Sequence, residues 1–241
     1  MSAVDFNYYN SENLKFMEPL GKWRILDLKG LRELAKYPHH ASVFRKTVSR
    51  LEKARIIQSF IDPWSRRKFV YLTEVGERIF NGDDSPINIH DDTRLHDARV
   101  IELVRIFLNY DIFEDVKLEH EYHGFASHLR PDAILKPNVE NNLINVALEV
   151  ELTGKSDSRI CEKIEYYLDT KYFSNVVYFF CSEALCKRYQ KKILELFGAG
   201  AFDKVILLWN PSLLTGKINM SRGGGYYKNE KKTISEIFNR K

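Results

Sequence analysis

The chain has 241 residues, of which 44% are hydrophobic and 13% aromatic, so a disordered chain is excluded and one large or two modest domains can fold. No stretch approaches ~18 consecutive apolar residues and the N-terminus lacks the basic-then-apolar order of a signal peptide, so we expect a cytoplasmic protein without a membrane partner. The net charge is only +4, but residues 22–80 hold 14 Lys and Arg against 6 Asp and Glu, which indicates a nucleic-acid-binding module there.

The first third of the chain is predicted to be mainly helical. Residues 1–21 are assigned as an N-terminal extension. The segment after them, "GKWRILDLKGLRELAKY", has apolar residues at helical spacing interrupted by Gly30, which predicts one broken helix or two short ones. Beyond Pro38, Ser42 can cap the next helix, whose buried stripe is Phe44, Val48 and Leu51.

The other face of that helix is polar and mostly cationic. Such a face suits a helix that lies in the major groove of DNA, where cations contact phosphates and the guanidinium groups of arginines bond the edges of bases. The alternative is a polar helix face that only contacts solvent. Two β-prone runs follow around "DPWSRRK", a turn with three consecutive cations, and "EVGERIF" is a closing helix. The residues expected to contact DNA are Arg45, Lys46, Ser49, Arg50, Lys53, Arg66, Arg67 and Lys68.

This order of elements resembles a winged helix-turn-helix domain. The segments "VSRLEKARIIQSF" and "RRKFVYLTEVGERIF" look like its recognition helix, wing and closing helix, and the resemblance covers residues 22–82. It implies binding of double-stranded DNA, although some winged helices are protein-interaction domains instead. The segment "NGDDSPINIHDD", residues 81–92, is rich in Gly, Pro, Asp and Asn, and residues 83–92 are predicted to be a linker.

Residues 93–241 are predicted to form a second domain of the mixed α/β class. A long amphipathic helix comes first, and then period-two patterns and short apolar runs predict strands. Helices over "SDSRICEKIEYYLDTKYF" and "SEALCKRYQKKILELF" alternate with two strands that are apolar on both faces, as in a sheet covered by helices. The order is a helix, a three-stranded meander, then α, β, α, β.

Three acidic residues stand where two of these strands can bring them together. Asp132 follows Pro131, while Glu149 and Glu151 lie two apart and therefore on one face of their strand. Carboxylates converging from adjacent strands can bind Mg²⁺ or Mn²⁺, which activates water against a phosphodiester. A hairpin whose carboxylates face water is the alternative.

The segments "RPD" and "LEVEL" within this element order resemble the PD-(D/E)XK nuclease superfamily, which implies a sandwich of restriction-endonuclease-like type. With the winged helix, "LHDARVIELV", "LRPDAIL", "LEVEL" and "EKIEYY" are similar to the replication-relaxation family of plasmid and mobile-element proteins. The resemblance implies that Asp132 and Glu149 ligate metal and that Val150 supplies a carbonyl. Glu151 stands where the superfamily has a lysine, which orients the attacking water and offsets phosphate charge.

Three residues could compensate for that departure. Lys155 lies just past the strand, Lys163 lies on the following helix, from which a lysine could reach in, and Glu102 on the leading helix could add a carboxylate. Each is also interpretable as an ordinary surface residue. The candidate catalytic residues are Asp132, Glu149, Glu151, Lys155 and Lys163, and the candidate metal ligands are Asp132, Glu149, Glu151 and Glu102.

Weaker patterns have simpler explanations. His120 and His123 resemble half a metal site, but on a strand their odd spacing sends the rings to opposite faces. Gly223 to Gly225 could cradle a phosphate, although a flexible loop before a short terminal helix is the simpler interpretation.

The sequence therefore predicts a sequence-specific DNA-binding protein of a mobile element, plasmid or phage that regulates transcription, replication or transfer. Its nuclease-like domain would be a non-catalytic scaffold, oligomerisation surface or DNA clamp. The alternative is an endonuclease dependent on Mg²⁺ or Mn²⁺ and targeted by the winged helix. A third hypothesis makes the second domain a docking module for a replication or transfer protein, and dimerisation is expected because winged helices often dimerise.

Overall fold

The computed structural model describes residues 11–81, 89, 92–109, 113–121, 129–138 and 144–238. The chain divides into two compact units, Met1–Ile101 and Glu102–Lys241, and the boundary falls within one helix. The predicted linker, 83–92, lies outside the described residues except for positions 89 and 92. Within the described part of the chain, no helix combines the length and the apolar composition needed to cross a bilayer.

The first unit contains short helices around a small antiparallel sheet. Strand β3 lies between β1 and β2 in that sheet. In chain order the elements are α1 (Ser11–Trp23), β1 (Ile25–Asp27), α2 (Leu28–Leu34), α3 (Ala41–Lys53), β2 (Ile57–Ile61), β3 (Lys68–Leu72) and α4 (Glu74–Asn81).

The start of this unit differs from the sequence prediction. The segment expected to form one broken helix or two short ones instead supplies the end of α1, strand β1 and α2, because Ile25 and Leu26 pair with β3. Asp27 then ends the strand and caps α2 by accepting a hydrogen bond from the Gly30 N–H at 2.8 Å. Helix α1, mostly assigned to an extension, contributes buried Phe16 and other apolar residues to the core.

Helix α3 confirms the predicted stripe, because Phe44, Val48 and Leu51 are buried. Its cap is not Ser42 as predicted: His40 is the cap, two residues earlier, and its ring accepts a hydrogen bond from the Ser42 N–H at 3.3 Å. Strands β2 and β3 form a hairpin, and residues 62–67 are its tip.

The second unit is built on one seven-stranded mixed sheet of order β10-β9-β8-β7-β6-β5-β4, in which β6, β7 and β8 are parallel. The predicted mixed α/β class is confirmed, with the antiparallel meander β4-β5-β6 followed by α, β, α, β. The elements are α5 (Arg94–Phe107), which carries the boundary between the units, β4 (Phe113–Leu118), β5 (Ala133–Pro137), β6 (Val146–Glu151), α6 (Asp157–Asp169), β7 (Asn175–Phe180), α7 (Glu183–Phe197), β8 (Val205–Trp209), β9 (Gly224–Tyr227), β10 (Glu230–Thr233) and α8 (Ile234–Phe238).

The glycine-rich segment before the last helix forms a hairpin, β9–β10, rather than a flexible loop. Gly224 and Gly225 pair with β8, and a Cβ at Gly225 would lie 2.4 Å from the carbonyl oxygen of Leu207. Glycine is therefore required there for close packing of strands. This role replaces the phosphate cradle considered for the segment.

Helices α6 and α7 cover one face of the parallel strands. Ile160 and Ile164 of α6 and Ile193 of α7 are buried in one cluster with Val176 and Phe180 of β7. The side chains of β6 that point to this face are at alternate positions, 147, 149 and 151. The side chains of Glu149 and Glu151 therefore point to the face of the sheet that α6 and α7 cover.

Candidate functional site

Glu149 lies at the centre of the acidic site. Its strand, β6, is where the sheet changes from antiparallel to parallel pairing, since β6 pairs antiparallel with β5 and parallel with β7. Glu149 is 2% exposed and Glu151 is 5% exposed. The alternative of a hairpin with water-facing carboxylates therefore does not hold for these two residues.

Both carboxylate oxygens of Glu149 have partners on α6. Lys163 Nζ donates to Oε2 at 2.6 Å and also to the carbonyl oxygen of Arg130 at 3.2 Å. The Tyr167 hydroxyl donates to Oε1. Lys163 and Tyr167 are four residues apart, so one face of the helix presents both groups to the strand. The Lys163 side chain is only 13% exposed, which removes the interpretation of it as an ordinary surface lysine.

The charges in this site influence each other strongly. Burial raises the pKa of Glu149 to about 7 against the attraction of Lys163, and the negative charge of Asp132 adds to the rise. Burial lowers the pKa of Lys163, but the charges of Glu149, Asp132 and Glu151 outweigh burial and hold that pKa above its ordinary value. The ammonium is thus the cation that all three acids share.

Asp132 reaches the site from the start of β5, as the sequence predicted. Its N–H donates to the carbonyl oxygen of Leu148 at 3.0 Å, and its Oδ2 accepts a hydrogen bond from the Val150 N–H at 2.6 Å. Glu151 Oε2 lies 3.8 Å from Lys155 Nζ, so the second candidate lysine forms a loose ion pair at the strand end.

Mg²⁺ and Mn²⁺ require several oxygen ligands directed at one point. Among the residues that the structure describes, no three His, Cys, Asp or Glu side chains are grouped closely enough to hold a metal ion. The Lys163 ammonium and the Tyr167 hydroxyl contact Glu149, and a backbone N–H contacts Asp132. In this arrangement the donor set does not fit a divalent cation.

The remaining metal candidates are Glu102, His120 and His123. Glu102 is partly exposed on α5, and the same helix packs Phe107 against Phe179, which lies on the sheet face opposite to Glu149. His120 lies in a short 3-10 helix, Glu119–Glu121, and His123 is outside the described residues.

The predicted DNA-contacting residues fall into two groups. Arg67 Nη1 bonds Asp27 Oδ2 at 2.9 Å, and Lys68 Nζ bonds Glu52 Oε1 at 2.7 Å, so these two cations are partly neutralised within the unit. The other six side chains are exposed: Arg45, Lys46, Ser49, Arg50, Lys53 and Arg66. Within the described residues, the four cations of α3 form no ion pair.

Two structurally important residues were missed by the sequence analysis. Asp62 is fully buried at the hairpin tip, where its carboxylate accepts hydrogen bonds from the Trp64 N–H at 3.0 Å, the Ser65 hydroxyl and Arg99. The signal available for Asp62 was the Asp-Pro turn start, which is typical of a side chain that caps its own turn. Tyr167 was considered only as part of the apolar side of α6.

Comparison with known proteins adds one distant similarity. No protein-family model matches the chain, and no curated protein matches it. Among solved structures, the structure of restriction endonuclease FokI bound to DNA matches with a TM-score of 0.30 and 12% sequence identity, over 89% of this chain and 45% of that chain. This chain thus spans less than half of the FokI chain, and the proposals below rest on the geometry described above.

Proposed function

We propose that the protein binds double-stranded DNA through its first unit, acting as a winged helix-turn-helix domain with α3 as the recognition helix. The element order α1-β1-α2-α3-β2-β3-α4, with β1 beside the β2–β3 hairpin, supports this proposal. The observation that carries it is the outer face of α3, where Arg45, Lys46, Arg50 and Lys53 are exposed and have no acidic partner among the described residues. Such a face can meet phosphates without first breaking internal ion pairs.

The acidic residues near the hairpin leave the cations of α3 unpaired. Asp27 and Glu52 engage Arg67 and Lys68, so they do not neutralise the α3 cations or Arg66. The apolar stripe of α3 is buried, which fixes the orientation of the cationic face. We infer that α3 supplies most of the DNA contacts and that Arg66 adds one from the hairpin tip.

The test is the salt dependence of binding to duplex DNA, measured by fluorescence anisotropy. Arg50→Ala and Arg45→Ala are each expected to weaken binding and to reduce the slope of log K against log[salt] by about 1. Lys29→Ala is the control, because this lysine is also exposed, at 83%, but does not lie on α3 and its Nζ is 3.7 Å from Glu33 Oε1 in an ion pair. Unchanged slopes for both arginine variants would refute the assignment of α3.

For the second unit we propose a nuclease-like fold of the PD-(D/E)XK type that binds rather than cuts, in a regulator of a mobile element, plasmid or phage. The partners of Glu149 support this non-catalytic proposal, because the Lys163 ammonium and the Tyr167 hydroxyl already bond both of its carboxylate oxygens. Homodimerisation and contact with a replication or transfer protein belong to the same proposal, and analytical ultracentrifugation tests the former.

One observation favours a second candidate, a DNA endonuclease dependent on Mg²⁺ or Mn²⁺. Lys163 places an ammonium 2.6 Å from Glu149, which supplies from α6 the lysine that position 151 lacks. Supercoiled plasmid incubated with the protein and either metal distinguishes the two functions. Nicking that is lost in both Asp132→Ala and Glu149→Ala would overturn the non-catalytic proposal, and intact plasmid would support it.

A further inference from the structure

We propose that the first unit binds a small, flat aromatic anion in a cavity lined by α1 and by residues 34–39, which end α2 and lead into α3. The cavity has a volume of about 670 Å³, within the range of about 300–1,000 Å³ that is typical of small-molecule sites. All of its lining residues belong to the first unit, and none of the four cations of α3 is among them. The site is therefore distinct from the surface proposed to bind DNA.

Aromatic side chains form much of the wall of the cavity. Helix α1 contributes Phe16 and Trp23, which are 1% and 7% exposed, and the segment after α2 contributes Tyr37 and His39. The ring centroid of Tyr37 lies 5.7 Å from that of Phe16 and 5.5 Å from that of His39. Aromatic rings attract one another in stacked and edge-to-face arrangements. A flat aromatic ligand is therefore favoured over an aliphatic ligand of the same size.

The protein holds this wall in position without a ligand. The Tyr37 hydroxyl shares a hydrogen bond with Thr47 Oγ1 at 3.0 Å, and its ring centroid lies 5.3 Å from that of Phe44 in the buried stripe of α3. Binding to an ordered wall costs less conformational entropy than binding to a mobile one. The contacts of Tyr37 thus favour binding of a ligand as small as one or two fused rings.

The charges around the cavity favour an anion. Lys22 and Lys36 line it, both are exposed, and neither has an acidic partner among the described residues. Lys22 Nζ lies 5.5 Å from the ring centroid of Trp23, which places one ammonium group against the aromatic wall. Among the described residues that line the cavity, Glu18 alone is acidic. The lining therefore has a net positive charge, which attracts a carboxylate or sulfonate carried by the ligand.

The backbone of Lys36 offers a way to separate ligand binding from folding. This residue follows Ala35, the cap at the end of α2, and its φ of 48° is in the left-handed region where glycine is usual after a helix. Lysine is strained there relative to glycine. Replacing Lys36 by glycine therefore removes the charge from the cavity without straining the chain.

The experiment measures the binding of 2-naphthoate to the full chain by titration calorimetry, with a Kd below about 1 mM expected for a ligand of this size. Naphthylmethanol has the same rings without the charge, and cyclohexanecarboxylate has the charge without the aromatic rings. Each should bind at least about threefold more weakly than naphthoate. Equal binding of either molecule would overturn the assignment of the ligand class.

Charge variants locate the ligand in the cavity. Lys22→Met and Lys36→Gly should each weaken naphthoate binding about 2–5-fold, and Glu18→Gln should strengthen it about twofold. Lys36→Gly should also keep or raise the Tm, because it relieves the backbone strain. Lys29→Met is the matched control and should bind naphthoate like the wild type, since this exposed lysine of α2 does not line the cavity.

A variant that fills the space tests the cavity itself. Ala35→Leu adds three carbon atoms at a lining position and should abolish naphthoate binding. If this variant folds poorly, the double variant Lys22→Met/Lys36→Gly decides, because both of its lysines are exposed. Unchanged affinity in the double variant, or no saturable binding by the wild type below about 1 mM, overturns the inference.

These measurements are made without DNA. Failure of naphthoate to bind therefore leaves the proposed role of α3 unaffected. Loss of DNA binding in the α3 variants likewise leaves the ligand site unaffected, because the residues substituted there do not line the cavity.

Discussion

Replacing Arg99 by methionine tests whether the hairpin tip depends on a buried ion pair. Arg99 and Asp62 are both fully buried, and the guanidinium donates to the Asp62 carboxylate. Methionine retains much of the side-chain length but removes the charge. The Asp62 carboxylate would keep only the Trp64 N–H and the Ser65 hydroxyl as donors, both of them neutral.

The expected loss is large because the remaining charge cannot reach water. Removing one partner of a buried ion pair costs about 3–5 kcal/mol, whereas an exposed pair four residues apart on a helix contributes about 0.3–0.5 kcal/mol. We therefore expect Arg99→Met to lower the free energy of unfolding of the first unit by about 3–5 kcal/mol. Lys29→Ala, in the exposed pair with Glu33, should cost less than about 0.5 kcal/mol.

Urea unfolding followed by circular dichroism measures the loss of unfolding free energy. A double-mutant cycle then tests whether this loss comes from the ion pair between Arg99 and Asp62. Arg99→Met/Asp62→Asn should recover most of the stability, because the buried charge is removed together with its partner. A loss below about 1 kcal/mol in Arg99→Met, or no recovery in the double variant, would refute the reasoning.

The same pair predicts a pH dependence. Burial raises the pKa of Asp62, but the hydrogen bonds from Ser65 and Arg99 outweigh burial and hold the pKa below its ordinary value. The stabilisation is therefore present above the unfolded-state pKa of about 3.9 and is lost as the pH falls through the lower folded-state value. The stability difference between wild type and Asp62→Asn should shrink below about pH 4.

Three further changes have distinct readouts. Trp64 is 52% exposed, and the other two tryptophans are buried. Duplex DNA should therefore quench the tryptophan fluorescence of the wild type more than that of Trp64→Phe. Equal quenching would place the hairpin tip away from DNA. Tyr167→Phe removes a donor to Glu149 and should cost about 1.5–3 kcal/mol in urea unfolding, and a negligible loss would mean that Lys163 alone satisfies the carboxylate. Gly225→Ala would place a methyl group 2.4 Å from a carbonyl oxygen, whereas the methyl group of Gly200→Ala would meet nothing within 4 Å. Only Gly225→Ala should therefore lower the Tm, with a loss of about 1–3 kcal/mol in the free energy of unfolding.

Periodicity was sufficient for the parts of the fold in which one face is buried. The stripe of α3 and the paired acids of β6 follow directly from helical and strand spacing. Strand β1 could not be predicted in this way, because three residues satisfy either period and only pairing with β3 decides. The His40 cap likewise depends on a local turn and not on a strong residue preference.

The site was predictable in its members but not in their contacts. Lys163 could be placed on the helix after β6 from the sequence, and so could be considered as a replacement for the missing lysine. Whether it points to solvent or to Glu149 depends on the packing of α6 against the sheet, which no local pattern specifies. Arg99 shows the same limit, since its partner Asp62 lies 37 residues away in the chain.

The β9–β10 hairpin has a consequence for solubility. Without it, the apolar strand β8 would be the open margin of the sheet and a template for pairing with other molecules. The hairpin instead places a four-residue strand with Glu230, Lys231 and Lys232 at that margin, and Lys231 also lies 5.3 Å over the ring of Trp209. Charge at an outer strand discourages pairing between the sheets of different molecules, so we expect this segment to protect that margin of the sheet from aggregation.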